Sequence, residues 1–567
     1  MASLITKNIK GHDYYYLVES KRVDGKPKYR NQVYLGPVNT VHQKLRDGFS
    51  TQEPLYSKVF EFGGIAALYD IALRLDVIPL IDSICPKRNQ GLSIGTYLLL
   101  AAINRATDPS SKSQFAQWFE QTFLSRVMSV DSNALSSQRF WDNMCLWNKE
   151  SIEKFEIQFV KRIVKDYGIP TKCLVYDATN FFTYIDTMNS KASLSQRGHN
   201  KEKRNDLRII GLSLLVSAEE EIPLFYEVYA GNTSDSIQFT HVVERLKGRY
   251  YQVFGQEADI TIVFDRGNNS KDNIELLASK ENTFHYVGGL TQSQCKYLMD
   301  IPKTEFQPLK GEEFGETSAY RTQGTVFERE LTLVVTDNPE LREGQLQGIR
   351  INMEKCQGKL AQLQERLAGW NQGATTRGKK PTKESVGNNI EEILKIPWMD
   401  ELFKITVFTA EEYPQISIEP RYDQLLFIKD KYLGKSVLFS DQKEWSNEQI
   451  VGAYRSAWHV EAAFRQMKNV RHLSVRPMWH WTNQKIEVHI FICVLAFRLC
   501  SLLHKELKLK GIDISINEML NKLSKKKQVM NVYRKNRGTT MSYSLTLEDE
   551  IVEKIVETQK LDSYKLS

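Results

Sequence analysis

Cysteine is scarce in this chain of 567 residues. The seven (Cys85, Cys145, Cys173, Cys295, Cys356, Cys493 and Cys500) are odd in number, scattered, and form no Cys-x-x-Cys pair. That pattern excludes a disulfide framework and a zinc ribbon, and leaves reduced thiols as the expectation. Long Pro/Gly-rich or single-residue tracts are also lacking, which argues against a disordered chain. The opening MASLITKNIKGHDYYYL has no apolar core of an export signal, and the most apolar later stretch, Ile490–Leu503, is short and interrupted by Arg498. No export signal and no membrane span are expected, and a cytoplasmic protein is.

What is present is an ordinary globular composition, 41% hydrophobic and 26% charged, in a chain longer than one core usually organises. Roughly three or four structural units are expected. The net charge of +7 tilts the partner list toward polyanions but is mild for a chain of this size, so local clusters must carry any argument for nucleic acid.

Along the chain, residues 1–58 read as a small basic β-rich unit, with YYYLVES and YRNQVYLG as strands and Asp24-Gly25 as a hairpin signal. Residues 59–168 change to helical periodicity and predict a helical, DNA-binding domain. Within it, Ser110–Ser113 and Ser136–Arg139 are polar breaks suited to helix starts. Residues 169–290 then give three strands, a helix, a strand, a helix and a strand, the order of an RNase H-like core. Residues 291–440 read as an inserted domain with a long charged helix around Leu341–Trp370 and the basic linker NQGATTRGKKPTKES. Residues 441–505 return to the core, with one helix over SNEQIVGAYRSAWHVEAAFRQMKN, and residues 506–567 read as a helical tail that is Lys-rich up to Lys535. The fold class expected is therefore α/β: an RNase H-like core with a large insertion and an N-terminal β plus helical region.

Three carboxylates stand out. Asp177 follows the apolar run CLVY and Asp265 follows TIVF; each is a charge at the end of a buried strand, where it is costly unless it has a task. Taken singly, an Asp in that position reads first as a turn or cap residue, and it is the two together that point to chemistry. Glu461 lies between the apolar neighbours Val460 and Phe464 in WHVEAAFRQMK rather than on a solvated stripe, with Arg465 and Lys468 as available ion-pair partners. Phosphodiester cleavage without a covalent enzyme intermediate needs two divalent ions about 4 Å apart, and a few carboxylates on rigid elements suffice to hold them.

The segments YDATNFFTY, RGHNKEKRNDLRIIGLSLLVS, IPLFYEVYAGNTSD, VFDRGNNS and RPMWHWTNQKIEVHIFICVLAFRL, in this order, resemble the bacterial insertion-sequence transposases of the DDE class, in the branch with a YREK signature. The N-terminal YYYLVESKRVDGKPKYRNQVYLG is similar to that of longer members. The signature is Tyr, two residues, Arg, three residues, Glu, six residues, Lys; this chain has Tyr454, Ala457, Glu461 and Lys468 in those places, so Ala457 replaces the Arg. Arg455 is the nearest alternative guanidinium.

The resemblance implies Asp177, Asp265 and Glu461 as catalytic and metal-holding residues, with two magnesium ions, replaceable by manganese, as cofactor. It implies double-stranded DNA, the terminal inverted repeats and the target, as partner, and a homodimer pairing two ends. Water would free a 3′-hydroxyl that then attacks DNA, with excision through a hairpin in this branch. Tyr454 and Lys468 would grip phosphates. Arg197, His199, Lys201, Lys203, Arg204 and Arg208 form a basic run close to Asp177, read either as a DNA contact or as a solvated hairpin face. Arg455, Trp458 and Arg465 complete the DNA-binding candidates around Glu461, with Trp458 either stacking on a base or packed in the core. Asp235, beside Gly231-Asn232-Thr233, reads as a helix cap, and His459 and His489 as packed rather than metal-bound. The same fold would also suit an inactive end-binding repressor or a structure-selective nuclease. A bacterial or archaeal cytoplasm, beside the nucleoid, is the expected location.

Overall fold

The computed structural model describes residues 2–23, 26–46, 53–86, 91–200, 204–254, 260–279, 284–374, 378–534 and 538–566. Asp24, Gly25, Lys201 and Lys203 lie outside the described residues, as does the side chain of Asp235. Strands β1 (Ala2–Ile9), β2 (His12–Val23) and β3 (Lys26–Pro37) form an antiparallel sheet against which helix α1 (Val38–Arg46) packs.

Strand β4 (Tyr56–Glu61) leads into helices α2 (Gly63–Arg74), α3 (Val77–Ile84), α4 (Ile94–Thr107), α5 (Phe115–Glu120), α6 (Leu124–Val127), α7 (Ser137–Met144) and α8 (Lys149–Tyr167). Ser136 caps α7, its hydroxyl accepting from the Arg139 N–H, as its position predicted. Ser110–Ser113 cap nothing, because α5 starts only after Gln114.

Strands β5 (Cys173–Thr183), β6 (Arg208–Ser217) and β7 (Pro223–Ala230), helix α9 (Asp235–Phe254), strand β8 (Ile260–Phe264), helix α10 (Lys271–Leu277) and strand β9 (Phe284–Leu290) follow in the predicted order. Strands β10 (Gln307–Pro308), β11 (Ser318–Val326) and β12 (Arg329–Asp337) come next. A helical excursion then runs through α11 (Pro339–Asn371), α12 (Lys383–Leu394), α13 (Met399–Leu402), the hairpin β13 (Phe403–Ala410) and β14 (Tyr413–Pro420), and α14 (Tyr422–Lys431) to β15 (Lys435–Ser440). The chain closes with α15 (Asn447–Arg455), α16 (Trp458–Met467), α17 (Asn483–Leu509), α18 (Ile516–Leu523), β16 (Lys527–Arg534), β17 (Thr539–Leu545) and α19 (Glu550–Thr558).

The central sheet has nine strands in the order β10-β11-β12-β15-β9-β8-β5-β6-β7. Strand β8 runs parallel to β5 and to β9, and the remaining pairs are antiparallel. This large mixed sheet is consistent with the RNase H-like core expected from the order of strands and helices. Strand β8, flanked by parallel neighbours on both edges, has all five residues buried, the continuous apolar run that a doubly covered strand requires.

Four expectations need correction. The excursion from the core is narrower than residues 291–440: β11, β12 and β15 extend the central sheet itself, and the segment with its own small apolar clusters begins at α11 and ends near Leu433. Sequence periodicity does not report which sheet a strand joins, and the pairing of β15 between β9 and β12 settles it here. The tail is not wholly helical, because β16 pairs with both β17 and β4 and so ties the C-terminal region to the start of the helical one. The helical stretch after Ser446 is two helices, α15 and α16, broken at Ser456 and Ala457.

Finally, α17 runs well beyond Ile490–Leu503 and is the one helix, among the described residues, long and apolar enough to cross a membrane. Its most apolar part is 94% buried inside the protein, as the core helix against α4 and α2. Arg498 on it is fully buried, its guanidinium donating to both oxygens of Glu156 at 2.7 Å.

Candidate active site

Strands β5 and β8 are in parallel register, with Tyr176 beside Phe264. The next residue on each is an aspartate, so Asp177 and Asp265 are neighbours across the two strands. Asp265 lies one step beyond the end of β8 in an extended conformation (φ −79°, ψ 164°), and so continues the line of the strand. Alternation then assigns the faces. Phe239 of α9 packs its ring against Tyr176 and Phe264, each at 4.9 Å between centroids. Asp177, Thr179 and Asp265 consequently belong to the opposite face, which α15 and α16 cover.

Two contacts pin those helices there. The Tyr454 hydroxyl at the end of α15 donates to Asp265 Oδ1 at 3.3 Å. Beneath it lies Gly289 of β9, where a Cβ would stand 2.4 Å from the Tyr454 oxygen; only glycine leaves room for the ring. Burial, followed by the Asp265 charge, holds the Tyr454 phenol above its ordinary pKa, which keeps it protonated and able to donate. Past the end of α16, Lys468 Nζ donates to Thr179 Oγ1 at 2.7 Å and lies over the Phe181 ring. Asp177 accepts the Ala178 N–H at 2.8 Å.

Glu461 rides on α16 between these two anchors. Its surroundings correct the sequence reading: Val460, Ala463, Phe464 and Met467 turn inward, while Trp458, Glu461, Arg465 and Lys468 form one exposed stripe. Among the described residues, no group of three or more His, Cys, Asp or Glu side chains forms a metal cluster, so the sheet unites the two aspartates without closing Glu461 onto them. The donors are all carboxylate oxygens, the hard set that magnesium and manganese prefer.

The other candidates divide. Trp458 is 51% exposed and so is not a core residue. Its ring lies 3.8 Å from that of His459, whose pKa burial and then Lys508 push down to about 4. Arg465 is exposed on the side of α16 facing Glu221. Arg455 is turned away from the aspartates; it donates to the Glu313 carbonyl at 3.1 Å and the Thr317 hydroxyl at 2.7 Å, over the Phe314 ring. It therefore does not replace the arginine missing at Ala457.

Of the basic run, Arg197 and His199 are exposed. Arg204 is held bidentately by Asp206, at 2.8 and 2.7 Å. Arg208 is an internal clamp, donating to the Asn189 carbonyl at 2.8 Å and to that of Thr187. Gly198 admits a close backbone approach, but from the Gly231 carbonyl rather than from a ligand. His489 is buried and packed as expected, its Nε2 2.9 Å from the Val475 carbonyl. Trp479 and Trp481 are exposed, and with Arg105, Lys112, Trp141 and His480 they line a cleft of about 450 Å³ between the helical region and the loop before α17.

Sequence reasoning missed Thr179, Gly289 and Arg266. Arg266 follows Asp265 and approaches the Tyr454 hydroxyl; its adjacency to the aspartate in DRGNNS was the available signal. Gly289 had none, because its role depends on a tyrosine far along the chain.

No curated protein matches the chain. Among solved structures, a piggyBac transposase synaptic complex with hairpin DNA, determined by cryo-EM, is similar at 11% identity and a TM-score of 0.36, over 81% of this chain and 79% of that one. The family model described as the transposase DDE domain matches residues 170–497, more than half of the chain, from just before β5 into α17. The chain belongs to the DDE transposase family.

Proposed function

We propose that this transposase cleaves DNA at the ends of a mobile element and joins them to target DNA, with Asp177, Asp265 and Glu461 as its catalytic carboxylates. The observation that carries the reading is the pairing of Asp177 with Asp265 at adjacent positions on parallel strands, on the face that α15 and α16 cover. Asp177 and Asp265, with Glu461 brought in from α16, would hold divalent ions, magnesium by preference, and the ions would supply activation of the attacking oxygen and stabilisation of the departing one.

The chain's own residues orient the site. Tyr454 fixes Asp265, Lys468 ties α16 to β5, and Arg266 supplies positive charge beside Asp265. Within the YREK branch of bacterial insertion sequences, to which the chain is assigned by its Tyr454, Glu461 and Lys468 spacing, Arg266 takes the place of the arginine absent at Ala457. Excision by cut-and-paste through a hairpin, a homodimer pairing two ends, and a location beside the bacterial or archaeal nucleoid complete the reading. Trp458, Arg465, Arg197 and His199 remain its DNA-contact candidates, all exposed.

The test is cleavage of the element's own ends. Asp177→Asn, Asp265→Asn and Glu461→Gln each retain end binding and lose magnesium-dependent nicking. Nicking at the wild-type rate by any one of them removes that residue from the site.

A further inference from the structure

The first 46 residues hold nine Lys or Arg against three Asp or Glu, a formal +6, while the whole chain carries only +7. They build β1–β3 and α1, a unit with almost no core. Among the described residues before Phe60, Val18 is the one buried hydrophobic, whereas Leu4, Ile9, Leu17, Tyr29, Val33 and Tyr34 are exposed. Such a small sheet contributes little to the stability of the chain, and its charge works against the approach of a second copy.

Its shape is specific. Strand β1 pairs with β2 only as far as Glu19. Beyond that point Ser20–Val23 pair with Lys26–Tyr29 alone, so β2 and β3 project as a two-stranded ribbon. On it Lys21 stands directly opposite Lys28, both exposed. Like charges facing each other across a strand pair are destabilising, and among the described residues neither ammonium has a carboxylate partner. At the base of the ribbon, Lys7 lies over the rings of Tyr16 and Tyr29.

We propose that this sheet is a duplex-DNA-binding module whose ribbon enters the major groove, with Lys21 and Lys28 neutralising phosphates at its walls. Four residues of ribbon at about 3.3 Å each span roughly 13 Å. The major groove of B-form DNA, about 12 Å wide and 8.5 Å deep, admits a two-stranded ribbon. The A-form groove of double-stranded RNA is too narrow for it. The proposal rests on the transposase reading for its biological ligand, and moves duplex recognition from the helical region, whose core merges with that of the catalytic sheet, to the β unit.

The experiment uses full-length protein carrying Asp177→Asn, so that binding is measured apart from cleavage. The probe is a mixed-sequence DNA duplex of about 30 base pairs, titrated by fluorescence anisotropy across salt concentrations, beside an RNA duplex of the same sequence. Adding Lys21→Ala and Lys28→Ala weakens DNA binding and lowers the slope of log affinity against log salt by about two. Lys21→Arg with Lys28→Arg retains it, and thermal unfolding is unchanged in both. An unchanged salt slope overturns the proposal. So does equal binding of the RNA duplex, or a shift in sedimenting mass with DNA affinity intact, which would make the sheet a contact between copies. Failure of the transposase reading would appear separately, as an absence of end-nicking by the wild-type protein.

Discussion

The Tyr454 hydroxyl meets Asp265 Oδ1 at 3.3 Å across the backbone of Gly289. Three elements distant in sequence thus fix one carboxylate: α15 supplies the donor, β9 the gap and β8 the aspartate. Tyr454→Phe removes a single hydrogen bond, worth about 1 kcal/mol, and is expected to slow end cleavage roughly fivefold. Gly289→Ala is expected to slow it further, because the added methyl displaces the whole ring. Single-turnover cleavage of pre-bound ends measures both, and the order reverses if Tyr454 acts only as a phosphate contact.

Trp458 separates a binding role from a packing one. At 51% exposed, its replacement by Ala changes unfolding free energy by no more than about 0.5 kcal/mol. If it stacks on a DNA base, affinity for cleaved ends falls by about 1–3 kcal/mol. Urea titration and anisotropy on the same preparation give the two numbers. A loss of stability without a loss of affinity would return Trp458 to the fold.

The reach of the sequence can be seen in these residues. Asp177 and Asp265 were legible because each interrupts the apolar run of a buried strand, and the strand and helix order from β5 to β9 followed from period and turn signals. The exposed stripe of α16 was misjudged from the apolar neighbours Val460 and Phe464, which are buried while Glu461 is exposed, since closeness in sequence does not fix the face a helical residue takes. Arg455 and Arg208 looked like phosphate ligands because charge in a sequence does not reveal which carbonyls it will meet; here those are Glu313 for one, and Thr187 and Asn189 for the other. The partition of the insertion was hidden for a related reason, as strand pairing between β9 and β15 is a long-range contact with no local signature.

Acid should weaken the fold through buried histidines. Burial depresses His459 to about 4 and His480 to about 3, whereas an unfolded histidine titrates near 6.5. The unfolded chain therefore binds more protons below that value, and the stability contributed by the neutral rings is complete above about pH 6.5 and lost as pH falls toward 4. Urea midpoints at pH 7.5 and 5 are expected to differ less in His459→Gln than in the wild type. An identical difference in the two proteins would show that His459 is solvated in the folded state.

The buried pair of Arg498 and Glu156 links α17 to α8 and hence the longest apolar helix to the helical region. Arg498 donates at 2.7 Å to both Glu156 oxygens and also to the carbonyls of Pro223, at 2.7 Å, and Leu224, at 3.1 Å, with no exposed surface. Removing one partner strands a charge in an apolar interior, so Glu156→Leu or Arg498→Met should cost about 3–5 kcal/mol. The double variant Glu156→Leu with Arg498→Met should recover part of that loss but not all, because the Pro223 and Leu224 carbonyls remain without their donor. Chemical denaturation of the single and double variants yields the coupling directly. If the double variant is as unstable as the sum of the singles, the two side chains contribute independently and the pair is not what joins the helices.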